Sequence, residues 1–274
     1  MGVVFGVIAV LLLGWLILIR PRTGQPALLD LQKYRYAHRG YHDKPEIPEN
    51  SMAAFRRAAE NGFAAELDIH LTRDGRLAVV HDSELTRVTG QSGIVEELTS
   101  RELAAYRLEG TEEQIPYLED VLALFRDRQP LLIELKVYKG NQDALCQAAA
   151  AMLDQYPGRF CLESFQPQAV LWLKRNRPSW IRGQLVCNLR RAGESRGAVP
   201  DFIFSNLLLN AVTRPDFIAY EYLDRKNLSN RLCRWLYHPA EFNWTIRTPE
   251  DAKAIEADRR TIIFEQFDPR TESD

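Results

Sequence analysis

Short apolar runs with the two-residue alternation of strands recur along the chain, separated by stretches with helical spacing. The strand-like runs are "YRYAH" (34–38), "FAAELDI" (63–69), "PLLIELK" (130–136), "RFCLESF" (159–165), "IRGQLVC" (181–187), "DFIAYEY" (216–222), "FNWTI" (242–246) and "TIIFEQ" (261–266). Between most of them lie helix-like segments: Ser51 as an N-cap before "MAAFRRAAEN", then "LEDVLALFRD", "QDALCQAAAAMLDQY", "PQAVLWLKRN" and "TPEDAKAIEAD". Eight strands alternating with helices predict an α/β fold, a closed (β/α)8 barrel of the TIM type, whose reactive groups sit at the C-terminal ends of the strands. Residues 34–274 are assigned to this barrel. Residues 83–117, "SELTRVTGQSGIVEELTSRELAAYRLEGTEEQIPY", do not read as a βα unit and are expected as a small inserted segment.

Ahead of the barrel, "VVFGVIAVLLLGWLILI" (3–19) carries no charge and, with Trp15 near one interface, reads as one N-terminal transmembrane helix. A cleaved signal peptide fits less well, because no basic residue precedes the run and no small-x-small cleavage site follows it. Residues 1–20 are therefore expected as a membrane anchor and 21–33 as a linker, so that a chain starting near Leu31 should fold and act without them. Basic residues dominate 20–44, with Arg20, Arg22, Lys33, Arg35, Arg39 and Lys44 against Asp30 and Asp43, which places residues 20–274 on the cytoplasmic side of a single-pass membrane protein.

The overall composition narrows function less. Of 274 residues 46% are apolar and 26% charged, enough for one large core, and 35 Lys plus Arg against 37 Asp plus Glu gives no field that points to nucleic acid. Cys146, Cys161, Cys187 and Cys233 form no CxxC pair and sit in apolar stretches, as packed reduced thiols do.

The chemistry concentrates at the predicted strand ends. Residues i and i+2 of a strand share a face, so Glu66 with Asp68, and Glu134 with Lys136, point the same way. "TRDG" (72–75) marks a hairpin; centred between Asp74 and Gly75, it would pair i with 149 − i and set Asp68 opposite His81. The first strand ends in His38 and Arg39. Three carboxylates without a thiolate make a hard oxygen site for a divalent metal, Ca²⁺ or Mg²⁺, and the ion would relieve their mutual repulsion. Two histidines beside it, with Arg39 and Lys136 as fixed cations, suit a phosphoryl centre with one base and one acid. Taken singly, each element has a plainer reading. An ExD can be a rim ion pair, His81 with Asp82 a structural pair, and Lys136 a neutraliser of Glu134; their joint position at one barrel end argues for a site.

In order, "HRG" (38–40), "PENS" (48–51), "ELD" (66–68), "TRDG" (72–75), "HD" (81–82) and "ELK" (134–136) resemble the pattern of the glycerophosphodiester phosphodiesterase family over about residues 34–266. The resemblance implies a metal-dependent enzyme that cleaves glycerophosphodiesters to glycerol 3-phosphate and an alcohol. By position it implies Glu66, Asp68 and Glu134 as metal ligands, His38 and His81 as the acid/base pair, and Arg39 and Lys136 as phosphate contacts. It further implies Glu49 and Asn50 as orienting residues of the first loop, although Asn50 equally fits a helix cap. "NWTIRTPED" (243–251) resembles the family's WTVN strand, with Trp244 as an apolar wall for glycerol. The inserted segment would partly roof the site. Two stretches depart from the family pattern: the last strand, "IIFEQFDP", and the long connection "NLSNRLCRWLYHPAE" (227–241). The membrane run makes a lysophospholipid an alternative substrate. A Schiff-base aldolase using Lys136 is disfavoured, because Glu134 would keep the amine charged. A tethered, inactive binding module would be expected to lack part of the ligand or acid/base set, which is complete here.

Overall fold

A computed structural model of the chain describes residues 2–270. Nine strands form one sheet: β1 (Tyr36–Ala37), β2 (Ala64–Leu71), β3 (Leu77–Val79), β4 (Leu131–Leu135), β5 (Phe160–Ser164), β6 (Arg182–Val186), β7 (Phe217–Glu221), β8 (Ala240–Ile246) and β9 (Thr261–Phe264). β1 pairs in parallel with both β2 and β9, which closes the sheet, while β3 hangs antiparallel on the end of β2. The parallel barrel thus contains eight strands, the eight expected from the alternation.

Two helices, α1 (Gly2–Leu18) and α2 (Pro26–Leu31), precede the barrel. α3 (Met52–Glu60) follows β1, and Ser51 caps it by accepting the Ala54 N–H at 3.1 Å. After β3 the segment 83–117 carries α4 (Thr86–Thr89) and α5 (Ser100–Leu103) around its own small core of Leu85, Val88, Val95, Leu103, Leu108 and Ile115. The remaining helices are α6 (Leu118–Phe125), α7 (Gln142–Leu153), α8 (Pro167–Asn176), α9 (Ala198–Ser205), α10 (Asn210–Thr213), α11 (Leu228–Tyr237) and α12 (Pro249–Ala257). The 227–241 stretch, read from sequence as an overlong connection, is mostly α11, with Asn227 as its cap.

Strand alternation divides the apolar residues into two layers. Ala65, Leu67, Ile69, Ile133, Leu162 and Phe264 face outward beneath the helices. Tyr36, Ala64, Leu132, Cys161, Leu185, Phe217, Phe242 and Ile263 fill the barrel. Gly183 belongs inside for a steric reason: a Cβ there would lie 2.2 Å from the Phe217 ring.

The N-terminal segment departs from the expected anchor and linker. Among the described residues no helix is long and apolar enough to cross a membrane. The 17 residues of α1 rise about 25 Å, short of a hydrocarbon core of about 30 Å. The end of the apolar run is also committed to the barrel: Trp15 donates to Ser229 Oγ at 3.1 Å, Tyr237 donates to the Leu16 carbonyl at 2.9 Å, and Ile19 is fully buried. Arg22 then ion-pairs with Asp216 at the start of β7. In the expected linker, Leu28 and Leu31 are buried against the barrel interior, and the Tyr36 hydroxyl donates to the Leu31 carbonyl at 3.0 Å. α2 is a plug at the N-terminal end of the barrel, a role that six residues with two spaced leucines did not announce.

The hairpin register differs by one residue. Ile69 pairs with Val79, His70 with Ala78 and Leu71 with Leu77, so Asp68 lies across from Val80 rather than His81. The cause is a three-residue loop, Arg73 to Gly75, closed by the Thr72 N–H on the Arg76 carbonyl at 2.9 Å, with Gly75 at φ 86°.

Because residues 26–31 stopper the barrel, Leu28→Ala should cost about 2–5 kcal/mol in urea unfolding, the range for a buried leucine truncated to alanine. A chain beginning at Leu31 should lose more and aggregate. A normal unfolding midpoint for that shortened chain would show that the plug is dispensable.

Candidate active site

The interior columns change character as they reach the C-terminal ends of the strands. On β2, Ala64 is followed inward by Glu66 and Asp68; on β4, Leu132 by Glu134 and Lys136; on β5, Cys161 by Glu163; on β9, Ile263 by Glu265. A cavity of about 360 Å³ opens over them, lined by His38, Arg39, His81, Glu66, Glu134, Glu163, Glu265 and an apolar wall of Phe165, Leu185 and Trp244. The site residues expected from sequence that surround this mouth are His38, Arg39, Glu49, Asn50, Glu66, Asp68, His81, Glu134, Lys136 and Trp244, and each line of contact below ties them together.

Glu66, Asp68 and Glu134 bring carboxylate oxygens within 4.8 Å of one another, and all three are buried. Lys136 Nζ lies 2.9 Å from Asp68 Oδ1 and 2.8 Å from Glu134 Oε2. Burial would raise the Asp68 carboxyl, but Lys136, His81 and Arg39 outweigh it and hold the group well below its ordinary value. Glu66 has no such counterion contact; burial, then the charges of Asp68 and Glu134, push it well up. Burial likewise lifts Glu134 to about 7 in spite of Lys136.

Arg39 is fixed by its backbone. It adopts φ 54°, which turns its N–H onto Glu66 Oε2 at 2.8 Å and its guanidinium onto Glu49 Oε1 at 2.8 Å. Gly40 follows at φ 76°, where a Cβ would meet Ala54 Cβ at 2.8 Å, so the "HRG" turn requires glycine. Asn50 also has positive φ, at 53°, and donates its amide to Asp68 Oδ2 at 2.8 Å while its N–H reaches the Arg39 carbonyl at 2.8 Å. Its side chain therefore serves the first loop and the carboxylates, and capping falls to Ser51.

Each histidine is backed by a carboxylate through Nδ1: His38 by Glu265 at 2.7 Å, His81 by Asp82 at 2.6 Å. That leaves both Nε2 atoms for the cavity; His38 Nε2 is 4.0 Å from Glu66. Burial and then Arg39 lower His38, and burial and then Lys136 lower His81 to about 4, so both imidazoles are neutral near pH 7.

Sequence reasoning missed several contributors. Glu163 is the β-ladder neighbour of Glu134; burial and then Glu134, Glu66 and Asp68 raise it well above its usual range. Glu265, in the last strand that departed from the expected pattern, bridges His38 and Arg247. Both have the same phase in their strands as the carboxylates that were found, a signal readable in "CLES" and "IIFEQ". Arg87 and Glu96 come from the inserted segment: Arg87 bonds Glu49 at 2.6 Å, and Glu96 bonds His70 Nδ1 at 2.6 Å, while His70 Nε2 meets the His81 carbonyl at 3.1 Å. No strand periodicity reveals these cross-segment contacts.

The donor set fits a divalent cation. Glu66, Asp68, Glu134 and Glu163 stand against Lys136 and Arg39, and Glu163 Oε2 is buried with no hydrogen-bond partner among the described residues. Hard oxygen donors with surplus negative charge are the requirement for Ca²⁺ or Mg²⁺.

The model of the glycerophosphoryl diester phosphodiesterase family matches residues 38–204, more than half of the chain. The chain belongs to that family. A glycerophosphodiester phosphodiesterase of Bacillus altitudinis is 40% identical over 109 residues, 37% of this chain and 44% of that protein. One from Caldanaerobacter subterraneus subsp. tengcongensis is 34% identical over 166 residues, 56% of this chain and 67% of that protein. The chain thus matches between 44% and 67% of the length of these two family members. The barrel is shared with a solved phosphodiesterase of Oleispira antarctica in complex with sn-glycerol 3-phosphate, with TM-score 0.67, 21% identity, and coverage of 85% of this chain and 92% of that one.

The raised carboxyls set the pH dependence of metal binding. The neutral form of Glu134 contributes stability below its ordinary 4.5, and that contribution is lost as pH rises through about 7. A divalent ion needs the ionised form, so its binding should release protons and tighten as pH rises. Thermal shifts with Ca²⁺ or Mg²⁺ should accordingly be larger at about pH 8 than at about pH 6, and Glu66→Gln and Glu134→Gln should each reduce them. Equal shifts at both pH values, or no shift with either ion, would count against the site.

Proposed function

We propose that this family member hydrolyses glycerophosphodiesters to glycerol 3-phosphate and an alcohol at the C-terminal mouth of the barrel. The observation that carries the reading is the pair of carboxylate-backed histidines, His38 and His81, lining one cavity with a buried carboxylate cluster between strand ends. Glu66, Asp68 and Glu134 would hold a Ca²⁺ or Mg²⁺ ion, which when bound supplies Lewis-acid polarisation of the phosphoryl group.

Lys136 and Arg39 supply fixed positive charge beside the carboxylates, suited to the substrate phosphate and to charge that develops on it. Neutral imidazoles can accept a proton at neutral pH. One histidine takes the proton of the attacking oxygen, either water or the substrate's own glycerol hydroxyl. The other, neutral in the free site, takes up a proton from solvent when the anionic phosphate binds beside it, and donates that proton to the alcohol oxygen as its P–O bond breaks. Glu265 and Asp82 favour the imidazolium form through Nδ1 and orient each ring. Trp244, its indole N–H on the Ala219 carbonyl at 3.0 Å and its ring edge-on to Phe165, gives glycerol a rigid apolar wall. Glu49 and Asn50 hold Arg39 and Asp68 in place.

His38→Ala and His81→Ala should each lower kcat by about 10²–10⁴-fold, the usual range for general acid–base groups, with unchanged unfolding midpoints. With a p-nitrophenyl diester, whose leaving group needs little protonation, the variant lacking the acid should recover much of its rate and the other should not. Equal defects on both substrates would leave the histidines as phosphate or metal contacts.

A further inference from the structure

Residues 2–13 of α1 are exposed all round, and every one of them is apolar or glycine. The direction in which they leave the barrel follows from three contacts. Arg22 bonds Asp216, at the N-terminal end of β7. Ile19 packs midway along the wall, its carbonyl accepting from Asn210 at 2.9 Å and from Cys233. Trp15 reaches Ser229 at the start of α11, which the chain enters just after the C-terminal end of β7. The segment therefore climbs the outside of the barrel from its plugged end to its catalytic end, and α1 continues beyond that rim. Its 12 exposed residues, 2–13, extend about 18 Å.

The rim beside this exit is apolar as well. Val199 and Phe202 on α9, with Leu223 and Leu228 leading into α11, are each more than half exposed. The cluster that seats Trp15, Leu16 and Ile19 also contains Phe165 and Trp244, two residues of the cavity wall, with Phe165 stacked on Phe204 of α9. An apolar path thus joins the cavity to the projecting helix. Around it the exposed charge is basic. Arg190, Arg191 and Arg196 lie on the loop after β6 and Lys226 before α11; Arg190 pairs with the buried Asp201 and Arg191 with the partly covered Asp224 and Glu221, and Glu194 is the one exposed acid of residues 188–228.

We propose that residues 2–13, with Val199, Phe202, Leu223 and Leu228, form a lipid-docking surface that seats the catalytic mouth against a membrane leaflet. Resting on the phosphodiesterase reading above, this assigns the enzyme a substrate met in that surface, a glycerophosphodiester carrying an acyl chain. These residues enter the bilayer end-on, and their length is less than its hydrocarbon core of about 30 Å. A second copy of the chain would need only one apolar face of α1, whereas hydrocarbon accommodates a helix apolar on every side. The basic rim complements anionic headgroups at the depth where the helix leaves the barrel.

The test uses the full chain with vesicles of phosphatidylcholine containing phosphatidylglycerol. All four native cysteines are buried, so a polarity-sensitive fluorophore can be placed by Leu223→Cys at the rim or by Leu29→Cys at the plugged end. The chain should sediment with the vesicles, and nitroxide lipids should quench the label at position 223 but not at 29. Leu12→Asp, and independently Phe202→Glu, should weaken vesicle binding, by about tenfold or more for the charge placed at hydrocarbon depth. Both should slow turnover of lysophosphatidylcholine in vesicles and leave turnover of soluble glycerophosphocholine unchanged. A chain that stays in the supernatant, quenching at position 29, undiminished binding by both variants, or a stable dimer that shields position 223 without lipid would each overturn the proposal. Correctly oriented binding with no hydrolysis of either substrate would support the docking surface and refute the phosphodiesterase reading instead.

Discussion

Mutual repulsion among buried carboxylates is the constraint around which this barrel is built. Glu66, Asp68, Glu134 and Glu163 share one interior layer, where water cannot screen them. Lys136 reaches Asp68 and Glu134, Arg39 leans toward Asp68, and the remaining charge is met by protonation of Glu66 and Glu163 or by a divalent ion. The layer below is entirely apolar, from Ala64 and Leu132 to Phe217 and Phe242, so the charge has nowhere to relax downward. It can be compensated only from above and from the sides.

Much of the irregular structure at the mouth supplies that compensation. The left-handed Arg39 directs an N–H at Glu66, Gly40 makes the turn possible beside Ala54, and the left-handed Asn50 brings an amide to Asp68. The inserted segment then braces this loop from outside. Its Arg87 joins Arg39 and Lys44 on Glu49, holding that carboxyl well below its ordinary value, and its Glu96 fixes His70, which steadies the strand end carrying His81. Removing the segment would therefore leave Glu49 with one fewer cation and His70, which meets the His81 carbonyl, without its Glu96 partner, two faults that reach the site without touching Glu66, Asp68 or Glu134.

Strand periodicity made the eight-strand barrel and the mouth of the site legible, because a two-residue repeat states which side chains share the interior. Glu66 with Asp68 and Glu134 with Lys136 follow from that rule alone. Glu163 and Glu265 obey the same rule, yet single carboxylates at strand ends read as ordinary rim charges until the strands are set in order around the barrel. The hairpin register failed for a different reason: whether "TRDG" closes a two- or a three-residue loop depends on where Gly75 takes its positive φ, which hydrophobic alternation does not encode. The partners of Arg87 and Glu96 depend on the tertiary course of residues 83–117, where there is no period to follow.

The N-terminal run shows a further limit, since hydropathy measures transfer from water and does not name the apolar phase. Residues 3–19 are apolar throughout, but Trp15, Leu16 and Ile19 find that phase in the barrel wall, and Leu28 and Leu31 find it inside the barrel. Because the wall contacts include Phe165 and Trp244, the packing that holds the helix is continuous with the packing that shapes the cavity. A force applied to α1, by lipid or by any other apolar surface, thus bears on the Phe165 and Trp244 wall of the cavity, and Phe165 is two residues beyond Glu163 of the carboxylate layer.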